Sequence, residues 1–372
     1  MNNIKQIATQ ILCENGLPTT KNEKWHYTNL KVLLPNCNVI QYNTDEWKIS
    51  NIDGIESSHT KEITVPSCVE EYFANNTIAQ LNAIGYSGGH KLVLKANETY
   101  LDIIELTNNI ATDQKHTSID IDVPTDSSAT IVEKHDVKSA ETEGSLATCI
   151  NKISLDKNSN INYIIIRDHS SSLPELQQIN ASISENANLN LYIVNINCAA
   201  KVRRQEIKVT LCGSYANFNL RSINLLNGNS HADITMVVKH KAPNATSSEL
   251  LRNIVCDNAV GVFAGLIKVD NIAQKTDAKM GCKSLLLSDE ASFFAKPELE
   301  IFADDVLCGH GATIAQIEDD SLFYLESRGI DKAYAKALLV KSFVKELLEE
   351  NPLVTDILSL TIDNWVETHA SN

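Results

Sequence analysis

One four-residue phrase, small then polar then apolar then polar, recurs through the middle of the chain and restricts its fold more than any other feature. It is written Ser159-Asn160-Ile161-Asn162, Ala187-Asn188-Leu189-Asn190, Ala216-Asn217-Phe218-Asn219 and Ala232-Asp233-Ile234-Thr235. The starts at 159, 187, 216 and 232 give steps of 28, 29 and 16 residues. A short strand with one buried face finds cover only from the next coil, so two nearly equal steps point to the stacked turns of a solenoid. Chance recurrence among Asn-rich turns is the plain alternative, and a β-sandwich of hairpins is the competing fold. Hairpin signals are sparse, with a single Asn227-Gly228 and no evenly spaced primed-turn dipeptides, which favours a β-helix.

The flanks are of different texture. Residues 1–84 read as a helical and mixed region, opening with a stripe of Ile4, Ile7, Ile11 and Leu12 that closes in the turn around Gly16 and Pro18. Residues 85–328 hold the strand-like runs, among them INYIIIRD, LNLYIVNIN and EIKVTL, each bounded by Asn, Asp, Ser or Gly. Residues 329–372 read as two helices. Asp331 caps the first, whose stripe is Ala337, Val340, Val344 and Leu347. Asn351-Pro352 stops it, and Val354, Leu358, Ile362 and Trp365 form the second stripe. Solenoids need covered ends, so this pair is expected to form a helical cap.

Charge and cysteine usage narrow the function. A formal net charge of −15 repels a phosphate backbone and argues against nucleic acid as a partner. No run approaches 18 apolar residues, and the start MNNIKQIATQILCENGL has neither a leader's apolar centre nor Arg-rich transit character, so a cytoplasmic protein with no membrane contact is expected. Nine cysteines at 13, 37, 68, 149, 198, 212, 256, 282 and 308 come no closer than 14 residues, the gap from 198 to 212. Such scatter suits reduced, buried thiols, not a disulfide framework or a CxxC zinc site.

Chemistry concentrates in DDVLCGHGATIAQ, Asp304 to Gln316. Strand alternation puts Cys308 and His310 on one face and Gly309 and Gly311 on the other. Thiolate and imidazole are ligands of zinc and iron-sulfur chemistry, but CxH supplies two of the four usually needed. The others must come from elsewhere in the fold or from another chain. The plain reading is one more buried thiol and a surface imidazole. Asp304 and Asp305 could serve as acid and base on a polysaccharide-cleaving β-helix, yet adjacent strand residues face opposite ways and cannot flank one bond. His26, His231 and His240 have no partner by spacing and read as structural or exposed. With no Walker A loop, GxGxxG or GxSxG, the chain reads as a platform and not a self-contained catalyst.

Several stretches resemble the SufD branch of the SufB/SufD family of iron-sulfur cluster assembly proteins. They are the run from Phe263 to Ala291, KPELEIFADDVLCGHGAT from Lys296 to Thr313, LFYLESRGI from Leu322 to Ile330, and Trp25-His26-Tyr27-Thr28. Gly309, His26 and Glu326 stand where the family usually has serine, lysine and arginine. The amino-terminal cysteine cluster typical of SufB is absent. The resemblance implies a mainly β fold, a right-handed parallel β-helix core between α-helical N- and C-terminal regions. It implies a non-catalytic scaffold that pairs with SufB through the β-helix and binds the SufC ATPase through its C-terminal helices, with Arg328, Gly329, Tyr334 and Leu338 on the SufC side. A homodimer is one state open to the chain alone. It further implies that His310 helps hold a nascent, transient iron-sulfur cluster against a SufB cysteine, no cofactor being held stably by this chain alone. Cys308 is a second ligand, a sulfur acceptor or a buried thiol. A polysaccharide lyase or hydrolase is the alternative function.

Overall fold

The first three copies of the repeated phrase lie in register. In the computed structural model Asn188 pairs with Asn160 on one side and Asn217 on the other, on parallel strands. The 28- and 29-residue steps are therefore complete coils. The fourth copy is on the opposite sheet, where Ala232 pairs with Arg203 and Gly261, so the 16-residue step is a half-coil crossing. The structure describes residues 2–34, 47–50, 52–60, 69–110, 114–137, 145–168, 173–198, 202–348 and 352–369. Cys37, Cys68 and Asn351 lie outside them.

Two nine-stranded sheets face each other across one apolar core. The first contains β1 (Trp47–Ile49), β4 (Thr99–Ile110), β6 (Ser128–Val137), β8 (Asn160–Asp168), β10 (Asn188–Cys198), β12 (Asn217–Leu226), β14 (Thr246–Val255), β16 (Asp277–Leu286) and β18 (Leu307–Ala315), in that order. The second runs from β2 (Glu56–Thr60) through β3 (Gly88–Val93), β5 (Gln114–Val123), β7 (Leu146–Leu155), β9 (Glu175–Ile183), β11 (Arg203–Leu211), β13 (His231–His240) and β15 (Val260–Val269) to β17 (Ser292–Ile301). Strands alternate between the sheets and pair in parallel from β3 onward, which makes the body a parallel β-solenoid.

The corners explain the Asn and Asp that bound each strand run. Asn97, Asp126, Asn158, Asn186, Tyr215, Asn244 and Lys275 each take a positive φ, one per coil, at the turn from the second sheet to the first. Asn and Asp tolerate this left-handed conformation better than other side chains. Asn227-Gly228 is a corner at the opposite edge, passing from the first sheet to the second between β12 and β13 with Gly228 at φ 64°, and it makes no hairpin. Asparagines then stack from coil to coil, as in Asn188 to Asn160 at 2.7 Å and Asn219 to Asn190 at 2.9 Å.

The two ends of the solenoid differ. At the N-terminal end the short antiparallel strands β1 and β2 are outermost, pairing with β4 and β3, and Ile49, Ile52 and Ile55 pack against the core there. At the other end β17 and β18 are the outermost strands and have no further neighbour among the described residues. The expected helical cap is not there. Helices α6 (Lys332–Lys345) and α7 (Pro352–His369) lie along the flank, burying Val340, Val344, Leu358 and Trp365 against Ile164, Val194, Ile223 and Ile254. Those residues form the outer face of the first sheet. An apolar face across several strands holds far more area than one end, so covering it wins the helices; a buried residue of this kind is worth roughly 1.5–3 kcal/mol. Asp331 caps α6 as expected, accepting from the amides of Ala333 and Tyr334. A short helix, α5 (Asp319–Ser327), precedes the 329 boundary.

At the N terminus, α1 (Asn2–Asn15) packs its Ile4, Ile7 and Ile11 stripe near α3 (Val69–Ala74) and α4 (Thr77–Gly85), with a four-residue helix α2 (Leu30–Leu33) after it. The segment between them is pinned to the second sheet's outer face. The Arg204 guanidinium sits 3.9 Å from the Trp25 ring centroid and ion-pairs with Asp233, which also accepts from the Thr28 hydroxyl. His231 Nε2 stands 2.9 Å from that hydroxyl.

Candidate metal centre

Cys308 and His310 share the inner face of β18, as strand alternation requires. Their register partners on β16 are Ala278 and Met280, both in the core. Because β18 is the last strand, the column that is closed over Met280 is open over His310, which is exposed, while Cys308 is half-buried against the core edge. Gly309 and Gly311 point outward, and a Cβ built on either meets nothing within 4 Å. Their smallness is not demanded by packing within this chain.

The surrounding rim is apolar and uncovered: Phe294, Ile301, Phe302, Leu307 and Ile314 are 42%, 38%, 60%, 71% and 46% exposed. Lone exposed apolar residues are ordinary, but here five fall on the last two strands and the turn between them. Tyr27 extends the rim by stacking on Phe294 at 5.1 Å between ring centroids. A second aromatic group lies on α5 and α6, where Phe323, Tyr324 and Tyr334 are exposed and Arg328 lies over the Tyr324 ring at 5.2 Å. Gly329, at φ 83°, is exposed there, and Leu338 is half-buried.

Among the described residues no three of His, Cys, Asp and Glu come together in a way that could hold a metal ion. The CxH pair is thus two donors without a complete shell in this chain. Burial raises the Cys308 thiol pKa, with the charges of Asp277 and Glu249 adding to it and a backbone hydrogen bond at Ala278 opposing. Asp304 and Asp305 fall outside any strand, in the exposed turn before β18, where Asp305 pairs with Lys275 at 2.9 Å. Asp305 thereby ties two coils together. His26 is exposed with Nδ1 3.2 Å from the Thr20 carbonyl; His231 and His240 are buried, the latter with Nε2 3.1 Å from Ser247 Oγ.

Residues missed in the sequence lie inside the solenoid. Glu133, His135, Arg167, Glu175 and Arg203 form a buried ionic network, with His135 2.7 Å from Glu133 and 3.0 Å from Glu175. From it an amide ladder runs along the interior through Gln177, Gln205, Asn195, Asn224 and Asn253. Its signal was polar residues at inward strand positions, which only the parity of each strand would have disclosed. Glu249 is a separate case. It is fully buried on β14, and burial pushes its pKa up to about 8 against the opposing pull of Ser247 and the Arg221 charge.

Fold and site define a β-solenoid platform with an exposed, unfinished donor pair on the last strand of its first sheet. The chain belongs to the SUF system FeS cluster assembly family, whose SufBD core domain matches residues 106–343. It is 31% identical over 206 residues to an iron-sulfur cluster assembly SufBD family protein of Synechocystis, covering 55% of this chain and 45% of the relative. Over 148 residues it is 37% identical to the iron-sulfur cluster assembly protein SufD of Escherichia coli, 40% of this chain and 35% of that one. A chloroplastic Arabidopsis thaliana protein, ABCI7, is 34% identical over 161 residues, 43% of this chain and 34% of its own length. The chain thus spans under half the length of these relatives. No helix among the described residues is long and apolar enough to cross a membrane.

Proposed function

We propose that this chain is a non-catalytic, cytoplasmic scaffold subunit of iron-sulfur cluster assembly, pairing end to end with a SufB partner and binding the SufC ATPase through its C-terminal helices. The observation that carries the reading is His310, exposed on the inward column of the last strand where no further coil covers it. A second β-helix docking there would pair the free edges of β17 and β18, bury the apolar rim and bring its own donors to the imidazole. Neutral imidazole ligates iron directly, so a cluster passing through would be cargo held between two chains. Outward Gly309 and Gly311 leave room for the approaching backbone. The aromatic group of Phe323, Tyr324 and Tyr334, beside Arg328, Gly329 and Leu338, is the surface we assign to SufC. Alone, the same bare end would pair two copies of this chain.

The test is reconstitution with SufB and SufC. Stable co-purification and at least a tenfold loss of cluster formation in His310→Ala are expected. Undiminished cluster formation removes the site assignment. A free monomer that cleaves polysaccharide would replace the scaffold reading altogether.

A further inference from the structure

One motif of the sequence, Trp25-His26-Tyr27-Thr28, belongs neither to the donor pair nor to the surface assigned to SufC, yet its side chains span the outer face of the second sheet. Its root is fixed on inner strands. Trp25 and Leu30 are buried in one apolar cluster with Leu176 of β9 and Leu81 of α4. Arg204 of β11 lies over the Trp25 ring and donates to the Lys24 carbonyl at 2.7 Å. Thr28 donates to Asp233 and stands 2.9 Å from His231, both on β13. Tyr27 and the neighbouring Glu23 then reach past β15 to the last strand. The Tyr27 ring stacks on Phe294 with the planes 17° apart, and Glu23 pairs with Lys296 at 3.5 Å.

Phe294 and Lys296 are successive outward positions of β17, and this strand lacks support of its own. Among the described residues it pairs with β15 alone, so one of its sides has no ladder. Pro297, in its middle, has no N–H to donate. A strand held on one side only opens more readily than a central one. Between its two footings the N-terminal segment does not lie flat on the sheet. A cavity of about 310 Å³ remains there, with His26 and Tyr27 on one side and Val262, Ala264 and Leu266 on the other. A tail that served only to cover apolar surface would close that hollow; this one bridges it.

We infer that the segment from Glu23 to Thr28 is a clasp on the bare edge: rooted on β11 and β13, it holds β17 through Tyr27 and Glu23, so that the order of the second sheet's last strand is set from the N-terminal region. A stacked aromatic pair and an exposed ion pair are each small contributions, and together they shift the closing of one strand by about tenfold. A partner that pairs only with an ordered β17 would select the clasped form and, by linkage, seat the segment more firmly in return. That consequence rests on the end-to-end docking reading. The clasp itself is a property of the chain alone.

The experiment is hydrogen exchange on the full-length chain alone in dilute solution, read by mass spectrometry over β13, β15 and β17. In the double variant Tyr27→Ala, Glu23→Ala the amides of β17 should exchange about tenfold faster than in wild type, and in Lys296→Ala several-fold faster, with β13 and β15 unchanged. Tyr27 is half-buried and Glu23 exposed, so these variants keep the fold. Lys21→Ala, exposed earlier in the same segment, is the control and should match wild type. Unchanged exchange of β17 in the double variant overturns the inference. So does an equal rise in β13, β15 and β17, which marks general loosening, or a rise in Lys21→Ala as large as in the double variant. The readout needs no partner, so the clasp and the docking reading fail separately.

Discussion

His310 stands directly above Met280 in one inward-facing column of the first sheet, and the two differ only in that a further strand covers the methionine. Met280 is 3% exposed, whereas His310 is exposed. The solenoid stops one coil before its column would close.

That bare end should behave as an interface. Ile314→Asp and Phe302→Asp place charge where a partner must exclude water, and each should weaken end-to-end assembly tenfold or more, read by analytical ultracentrifugation. Both side chains are already exposed, so folding stability should change by no more than about 0.5 kcal/mol. Assembly as strong as wild type in both variants would show that the partner docks elsewhere.

Glu249 should leave a mark on the pH dependence of stability. Its carboxyl has an ordinary value of 4.5 in the unfolded chain and about 8 in the folded one. Between those values the folded state binds more protons, so stability falls as pH rises from 4.5 to 8, and the whole deficit is present above 8. Urea unfolding at pH 5 and pH 8 should show wild type losing on the order of 3 kcal/mol relative to Glu249→Gln. Parallel pH profiles would refute it.

Two buried histidines act in the opposite direction. Desolvation lowers His116 to about 3 and His240 to about 4 from an ordinary 6.5. The unfolded state then binds the extra protons, and stability is lost as pH falls from 6.5 toward those values. His240→Gln should flatten part of that acid limb, checked by unfolding between pH 4 and pH 7.

Cysteine reactivity should separate into classes. Cys13 and Cys212 are exposed and should alkylate rapidly with iodoacetamide in the native protein. Cys308, half-buried with a raised pKa, should react more slowly and be shielded by a partner. Cys256 and Cys282, pushed up to about 12 by burial, should react only on unfolding, as should the buried Cys149. Mass spectrometry of the labelled peptides gives the order directly.

The lock around Thr28 should hold the N-terminal segment in place. Asp233→Ala removes the carboxylate that Arg204 and Thr28 share, leaving a buried guanidinium with Glu206 as its remaining anion. Breaking a buried pair on one side costs about 3–5 kcal/mol, and the loss should first appear as faster proteolysis of the segment around Trp25. Unchanged cleavage would mean that the Trp25 and Leu30 packing suffices alone.

Local pattern was legible because it is local. The stripes of α6 and α7, the Asp331 cap, the in-register Asn phrases and the shared face of Cys308 and His310 all follow from residue spacing within one element. The 16-residue step was ambiguous, because a half-coil and a full coil look alike until it is known which sheet each strand joins. The helices were expected over the end and lie on the flank, since a stripe tells that a helix needs cover and not where the larger apolar surface is. Glu249 looked like any polar residue in a strand; its isolation depends on Leu220 and Met280, 29 and 31 residues away.

By itself the sequence determined coils of about 29 residues, corners that admit left-handed Asn and Asp, and which side chains share a face, for these are set by backbone sterics and strand periodicity. Only the tertiary structure decided which strands end the stack, where the helices lie and which inward side chains meet across coils. Those depend on long-range pairing, where the competing surfaces are compared by the area they bury and not by the residues beside them in the chain.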